Sequence, residues 1–331
     1  MDWSFIFDSA VTAAFSGDAV VFALAAIGLN VHFGYTGLLN FGQVAFVAVG
    51  AYSVAMGVDT FGLSFWLCLF LGLLAAGVLA LILGVPTLRL RADYLAIVTI
   101  AAGEILRLIL RAASFRGTTG GAAGIQNFAD DFYDLNPFDG GPYGVGPIDF
   151  SRNEFWILVV GWMLVALCCL FVYLLMHSPW GRVVKAIRED EDAVRSLGKN
   201  VYLYKMQSLV VGGMIGAVGG MVFAIDRQSV APDNYSTALT FFAYTALILG
   251  GTARVLGPVV GAMLFWFVIN LSNSALREAV SADYIPEGVL VSNEVGIVRF
   301  IIVGAGLMLL MIYRPQGLFG DKREVAVSAR R

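Results

Sequence analysis

The stretch SPWGRVVKAIREDEDAVRSLGKN, from Ser178 to Asn200, decides the fold. It is dense in charge, yet residues 155–181 carry no Asp, Glu, Lys or Arg, and after Lys205 no charge appears until Asp226. A charged helix between two apolar runs of that length belongs in water just outside a membrane. Ser178 suits its N-cap, Pro179 its first turn and Gly198 its C-terminal close. Val183, Ile187, Val194 and Leu197 recur at helical spacing, while Arg182, Lys185, Glu189, Asp192 and Arg195 mark the other side. The pattern predicts one amphipathic helix able to dock on a partner.

Working outward, the 331-residue chain is 59% hydrophobic and only 14% charged, where a soluble protein carries about 25%. Charge-free windows run over 19–58, 60–88, 155–181, 206–225, 234–253 and 255–276. About 20 apolar residues span a bilayer as a helix, so each window holds a crossing and the first holds two. The predicted fold is all-α: a polytopic transmembrane helical bundle forming a single domain over 1–331. Predicted spans are 9–31, 36–56, 62–86, 94–113, 154–176, 203–225, 239–252, 257–275 and 295–313. The N-terminal MDWSFIFDSA is acidic and lacks a basic leader, so no cleavable signal peptide is expected.

Lys and Arg distribute unevenly between the connections. One side receives Arg89, Arg91, the island with Lys205, Arg254 and the tail; the other receives Arg116, Arg152, Arg227 and Arg277. The positive-inside rule puts the island (178–200) and the tail (314–331) in the cytoplasm, and the N-terminus outside. The acidic segment 114–152 is expected to be extracytoplasmic.

Some spans do not read as ordinary helices. GYTGLLNFGQVAFVAVGAY (Gly34–Tyr52) and GGTARVLGPVVGA (Gly250–Ala262) combine glycines with polar residues or proline inside apolar runs. Such interruptions point to broken or re-entrant helices beside a pathway and to a possible inverted repeat. The glycines at 212, 213, 216, 219 and 220 read instead as a close-packing helix face. Asn30, Tyr35, Asn40, Gln43, Thr99, Tyr244 and Thr245 are candidates to line a path for a small polar solute. Glu104 and Arg107 stand at i, i+3 and are expected to form a structural pair. His32 and His177 have no ligand spacing around them and read as structural. Cys68, Cys168 and Cys169 all lie in apolar spans and read as small buried hydrophobes.

No GxxxxGK[ST] phosphate loop is present, so P-loop ATP binding is excluded. Neither a metal-ligand constellation nor a nucleophile–base pair appears, and the basic residues follow topology rather than a nucleic-acid surface. The expectation is a non-enzyme without cofactor, metal or nucleic-acid partner.

Gly34–Tyr52, LRLRADYLAIVTIAAGEILRL (Leu88–Leu108), the island with the YKMQSLVVGGMIGAVGGMVFA that follows, and RPQGLFG (Arg314–Gly320) are familiar together. With TGGAAGI (Thr119–Ile125) and GGTARVLGPVVGA, they make the chain resemble permease subunits of bacterial branched-chain amino acid ABC importers, of the LivM type. The resemblance runs over about residues 20–320. It departs at Asn40 and Gln43, where Ser and His are common, and at Arg254, where a small or apolar residue is expected. It implies a cytoplasmic-membrane protein paired with a LivH-like second permease, two cytoplasmic ATP-binding subunits that carry the ATP, and an extracytoplasmic solute-binding protein. It also implies that the island is a coupling helix, with Val183, Ala186, Ile187, Arg188, Glu189 and Gly198 at the ATPase contact. The implied solute is a branched-chain or related neutral amino acid, with urea or a short amide as the alternative. A stand-alone secondary transporter or channel is the rival class.

Overall fold

The computed structural model describes residues 3–88, 92–145, 148–281, 295–314 and 317–319. Arg89, Arg91 and most of the tail at 314–331 lie outside the described residues. The membrane body consists of α1 (Trp3–Phe15), α2 (Gly17–Leu29), α3 (Gln43–Asp59), α4 (Phe65–Thr87) and α5 (Ala92–Arg111). After the segment at 112–151 come α6 (Arg152–His177), the island helices α7 (Pro179–Glu189) and α8 (Glu191–Ser196), and α9 (Val201–Arg227). The chain closes with α10 (Thr237–Gly250), α11 (Gly257–Ser281) and α12 (Val295–Tyr313). It is a polytopic helical bundle with broken helices, and among the described residues strand structure is confined to two short ladders. Gly17–Tyr35, α4, α6, α9 and α11 are each long and apolar enough to cross a membrane.

Sequence explains which helices lie inside. In α2 every residue from Ala19 to Leu29 is buried, because the helix is apolar on all sides. It is enclosed by α9, α11, α10 and α6, while α9 also packs on α3 and α4. The α3–α9 crossing is close because both helices present glycine there. A Cβ on Gly220 would stand 1.9 Å from the Val47 carbonyl oxygen, and one on Gly50 2.1 Å from that of Ala217. The expected packing role of the glycine face therefore holds. By contrast, α4, α6 and α12 expose Trp66, Phe70, Ile82, Leu170, Leu174, Ile301 and Met308, as a surface facing lipid or other subunits does.

Three expected elements differ. The span 9–31 is two helices, parted at Ser16, whose hydroxyl caps α2 by accepting from the Ala19 amide. The helix at the start of 36–56 is absent: α2 runs on as a π-turn over Asn30–Tyr35, the backbone is irregular through 37–42, and α3 begins only at Gln43. The island is two helices, because Asp190 adopts an extended backbone and caps α8 through the Ala193 amide at 3.0 Å. Its expected ends do hold. The Ser178 hydroxyl accepts from the Gly181 amide, Pro179 stands in the first turn, and Gly198 is left-handed at φ 75°. Leu197, expected on the apolar side, is exposed, whereas Val184 is fully buried.

The two ends of the bundle carry different chemistry. At one end lie α7, α8 and the 251–256 turn. Residues Gly317–Phe319 dock there on α10, where Leu318 and Phe319 amides donate to the Leu249 and Gly250 carbonyls at 3.0 Å each. At the opposite end, Ile125–Gln126 pairs antiparallel with Ser229–Val230, and Tyr143–Val145 with Ile148–Phe150. Ion pairs tie that end together: Arg227 to Asp18 at 2.7 Å, and Arg107 to Glu104 at 2.5 Å and Asp233 at 2.9 Å. The expected Glu104–Arg107 pair is thus present.

Candidate functional site

The break between α2 and α3 leaves backbone groups without helical partners inside an apolar bundle, where each must be satisfied. A cluster of neutral polar side chains meets that need. His32 is fully buried in the π-turn and touches the Leu209 carbonyl through Nε2 at 3.1 Å and Asn40 Nδ2 through Nδ1 at 3.1 Å. A carbonyl only accepts, so Nε2 carries the proton and Nδ1 accepts. Asn40 Nδ2 also donates to Gln43 Oε1 at 3.3 Å, and Asn40 Oδ1 accepts the Gly42 amide at 2.9 Å. Gln43 Nε2 then reaches the Gly212 carbonyl on α9 at 3.2 Å. Tyr244 on α10 donates its hydroxyl to the Asn40 carbonyl at 3.0 Å.

Further groups hold the rim. Thr99 Oγ1 on α5 accepts the Phe41 amide at 3.0 Å, and Thr240 Oγ1 on α10 accepts the Val44 amide at 2.9 Å, near the start of α3. The hydroxyls of Thr36 and Ser208 stand 2.5 Å apart, and both face the Val31 carbonyl. Asn30 reaches a second break, between α10 and α11. Its Nδ2 donates to the Arg254 carbonyl at 2.8 Å and its Oδ1 accepts the Ala253 amide at 2.9 Å. One amide thereby grips two successive residues of the 251–256 turn.

Six of the seven residues read as pathway candidates thus converge at the two breaks: Asn30, Tyr35, Asn40, Gln43, Thr99 and Tyr244. The hydrogen bonds described for the cluster do not include Thr245, which is half-buried. His32, read as structural, belongs to the cluster, as do Thr36, Ser208 and Thr240, which had not been singled out. Each has a partner 172–196 residues away in sequence, so no local spacing marks the contact.

The island touches this cluster directly. Arg188, half-buried on α7, donates through Nη1 to the Gly34 carbonyl in the π-turn at 2.5 Å. Its side chain also lies over Gly37, where a Cβ would stand 3.4 Å from Arg188 Cγ. Lys185 Nζ sits 5.6 Å from the centroid of the buried Tyr35 ring. Of the other expected contact residues, Ile187 is buried, Val183 half-buried, and Ala186 and Glu189 exposed. Gly198 has open space where a Cβ would point. The buried face of α7 therefore holds the breaks, while its exposed face is available to another subunit.

The contacts of the cluster run mainly to backbone groups at and around the two breaks. Among the described residues no group of three His, Cys, Asp or Glu could hold a metal ion. The buried polar side chains of the cluster carry no carboxylate or ammonium.

Residues 11–312 match the family model described as the permease component of the branched-chain amino acid transport system. The chain is 31% identical over 310 residues to the high-affinity branched-chain amino acid transport system permease protein LivM of Salmonella typhimurium, covering 90% of this chain and 68% of that one. The Escherichia coli protein of the same name gives the same identity and coverage. A probable LivM of Methanocaldococcus jannaschii is 24% identical over 346 residues, covering 91% of each chain.

Proposed function

Since this chain belongs to the family of branched-chain amino acid transport permeases, we propose that it forms half of a translocation pathway for branched-chain or related neutral amino acids. A second, LivH-like permease supplies the other half, two ATP-binding subunits dock on α7 and α8, and a solute-binding protein delivers solute from outside. The chain itself binds no nucleotide and catalyses nothing.

The observation that carries this reading is the Arg188–Gly34 hydrogen bond. It joins a surface helix to the broken segment of a membrane helix, so a displacement of α7 acts directly on the backbone at 34–42. Packed interfaces shift between discrete arrangements rather than deform smoothly, so a rigid-body push at α7 can move the polar cluster as a unit. An inward-facing α7 also agrees with the Lys/Arg asymmetry, because Lys185 and Arg254 line one cavity at that end of the bundle. The neutral character of the cluster suits an overall neutral solute.

The experiment is reconstitution of the chain with its second permease, ATPases and binding protein in liposomes. Uptake of labelled leucine that requires all components and ATP on the ATPase side is expected. Uptake by this chain alone, without ATP, would establish the channel or secondary-transporter reading instead.

A further inference from the structure

Helix α5 runs the length of the bundle along its edge. Near its start Leu95 packs with Leu38, Leu88 and Met206 and lines the cavity beside Arg188 at the α7 end. Near its finish Arg107 and Arg111 both bind Asp233 at the opposite end. One side of α5 seals the first break: Thr99 accepts the Phe41 amide, and a Cβ on Gly103 would stand 3.3 Å from Val44 Cγ1. The other side is open. Tyr94, Ile97, Ala101, Ile105 and Leu108 recur at helical spacing and are exposed. Glu104 lies on the same stripe, its side chain 41% exposed, in a pair with Arg107.

That carboxylate decides what covers the stripe. At 1.5 Å rise per residue, Glu104 stands about 10 Å along the axis from Arg111 and farther from Leu95, so it is inside the apolar span. The exposed residues of α4 from Trp66 to Pro86, and of α6 from Val159 to Phe171, are all apolar, as suits a surface against lipid. An exposed carboxylate at such depth turns instead to protein or to a water-filled space. The polar groups at the break are no substitute for that space, because Asn40, Gln43 and Thr99 are fully buried. Between them and the open stripe stands α5 itself.

We propose that the outward stripe of α5 is the wall that this chain gives to the pathway, facing the second permease across water, with Glu104 and Arg107 at its outer half. The inference rests on the paired-permease function proposed above and names the face that pairs. Because Thr99 ties the inner side of α5 to the backbone at Phe41, a push that moves the break also moves this wall.

The test uses the assembled transporter, its own cysteines replaced and one cysteine introduced at a time. Ala101→Cys and Ile105→Cys probe the stripe; Leu74→Cys on α4 and Leu167→Cys on α6 are the controls. All four side chains are exposed, so packing inside the chain is undisturbed. An impermeant methanethiosulfonate reacts with the thiolate, which forms in water and not in hydrocarbon. Labelling at 101 and 105 should therefore be about tenfold or more faster than at 74 and 167. A photoreactive side chain placed at Ile105 should attach to the second permease. Labelling of the stripe as slow as that of the controls, or attachment of lipid or of a second copy of this chain at 105, would overturn the proposal. Absence of ATP-driven uptake by the unmodified assembly would count against the proposed function instead, so the two failures are read separately.

Discussion

His32 and Asn40 are eight residues apart and hydrogen-bond at 3.1 Å across a stretch where α2 has ended and α3 has not begun. The bond closes a loop of irregular backbone inside an apolar bundle, a place where unsatisfied polar groups are costly. Because the same imidazole donates to Leu209 on α9, the loop is fixed to the helix that packs on both α2 and α3.

His32→Ala should therefore lower stability well beyond the loss of an ordinary side chain. It leaves one Asn40 N–H without its partner and empties the space of a buried imidazole, at about 2–4 kcal/mol together. Thermal unfolding in detergent should show a clear drop, while His177→Ala, at an exposed position, should stay near the unmodified protein. Equal stability of the two variants would mean that the cluster does not hold the break.

Gly220→Ala should disrupt the α3–α9 crossing. The added methyl would stand 1.9 Å from the Val47 carbonyl oxygen, and backbone cannot give way without separating the helices. Overpacking of this kind costs about 1–3 kcal/mol or more. Gly117→Ala, where a Cβ meets nothing within 4 Å, is the control. Monodisperse yield after extraction should fall for the first and not for the second.

The island offers a test of coupling in which its two faces separate. Arg188 holds the π-turn, so Arg188→Ala should impair both stability and transport. Glu189 is exposed, so Glu189→Ala should leave folding intact yet weaken ATPase docking and the stimulation of ATP hydrolysis by loaded binding protein. Truncating one partner of a charged contact that becomes buried on docking costs about 2–5 kcal/mol. Wild-type transport by an assembled Glu189→Ala complex would place the contact elsewhere on the exposed face, for instance at Ala186.

Much of this architecture was legible because apolar length and charge position are local. The island's ends followed from Ser178, Pro179 and Gly198, whose capping roles need only a few neighbouring residues. The interior breaks were harder. Ser16 looked like one more residue of an apolar run. The π-turn at Asn30–Tyr35 depends on partners from α9 and the 251–256 turn, so no window of local sequence reports it. His32 is structural, as its lone position suggested, but its place in the cluster was hidden for the same reason: a lone histidine gives no spacing signal when one partner is a carbonyl 177 residues away. Asp190 could have been read as an internal cap, since it precedes Glu191 and Asp192 as an N-cap does, but the helical periodicity across it concealed the interruption.

Orientation can be measured at two exposed acids. The side chain of Asp192 on α8 is 89% exposed and that of Asp139 in the 112–151 segment 96% exposed. An impermeant thiol reagent applied to intact cells should label Asp139→Cys and spare Asp192→Cys, in a background lacking Cys68, Cys168 and Cys169. The reverse pattern would invert the topology and move the ATPase contact off α7.

The grip of Asn30 on the 251–256 turn makes a sharper prediction, because it couples two substitutions. Ala253 is held at φ 57° while its amide donates to Asn30 Oδ1, and a left-handed alanine costs roughly 1–2 kcal/mol. Asn30→Ala removes that acceptor and the donor to the Arg254 carbonyl together, which should destabilise the chain by about 2–4 kcal/mol. Ala253→Gly alone should be close to neutral or slightly stabilising, since relief of the left-handed strain is offset by the greater freedom of glycine in the unfolded chain. In the Asn30→Ala background the turn is no longer forced into that conformation, so the same glycine should gain less or become destabilising. A double-mutant cycle read by thermal unfolding should therefore show an interaction energy of about 0.5 kcal/mol or more between positions 30 and 253. Strict additivity would show that the turn keeps its shape without Asn30, and that the two breaks are held independently.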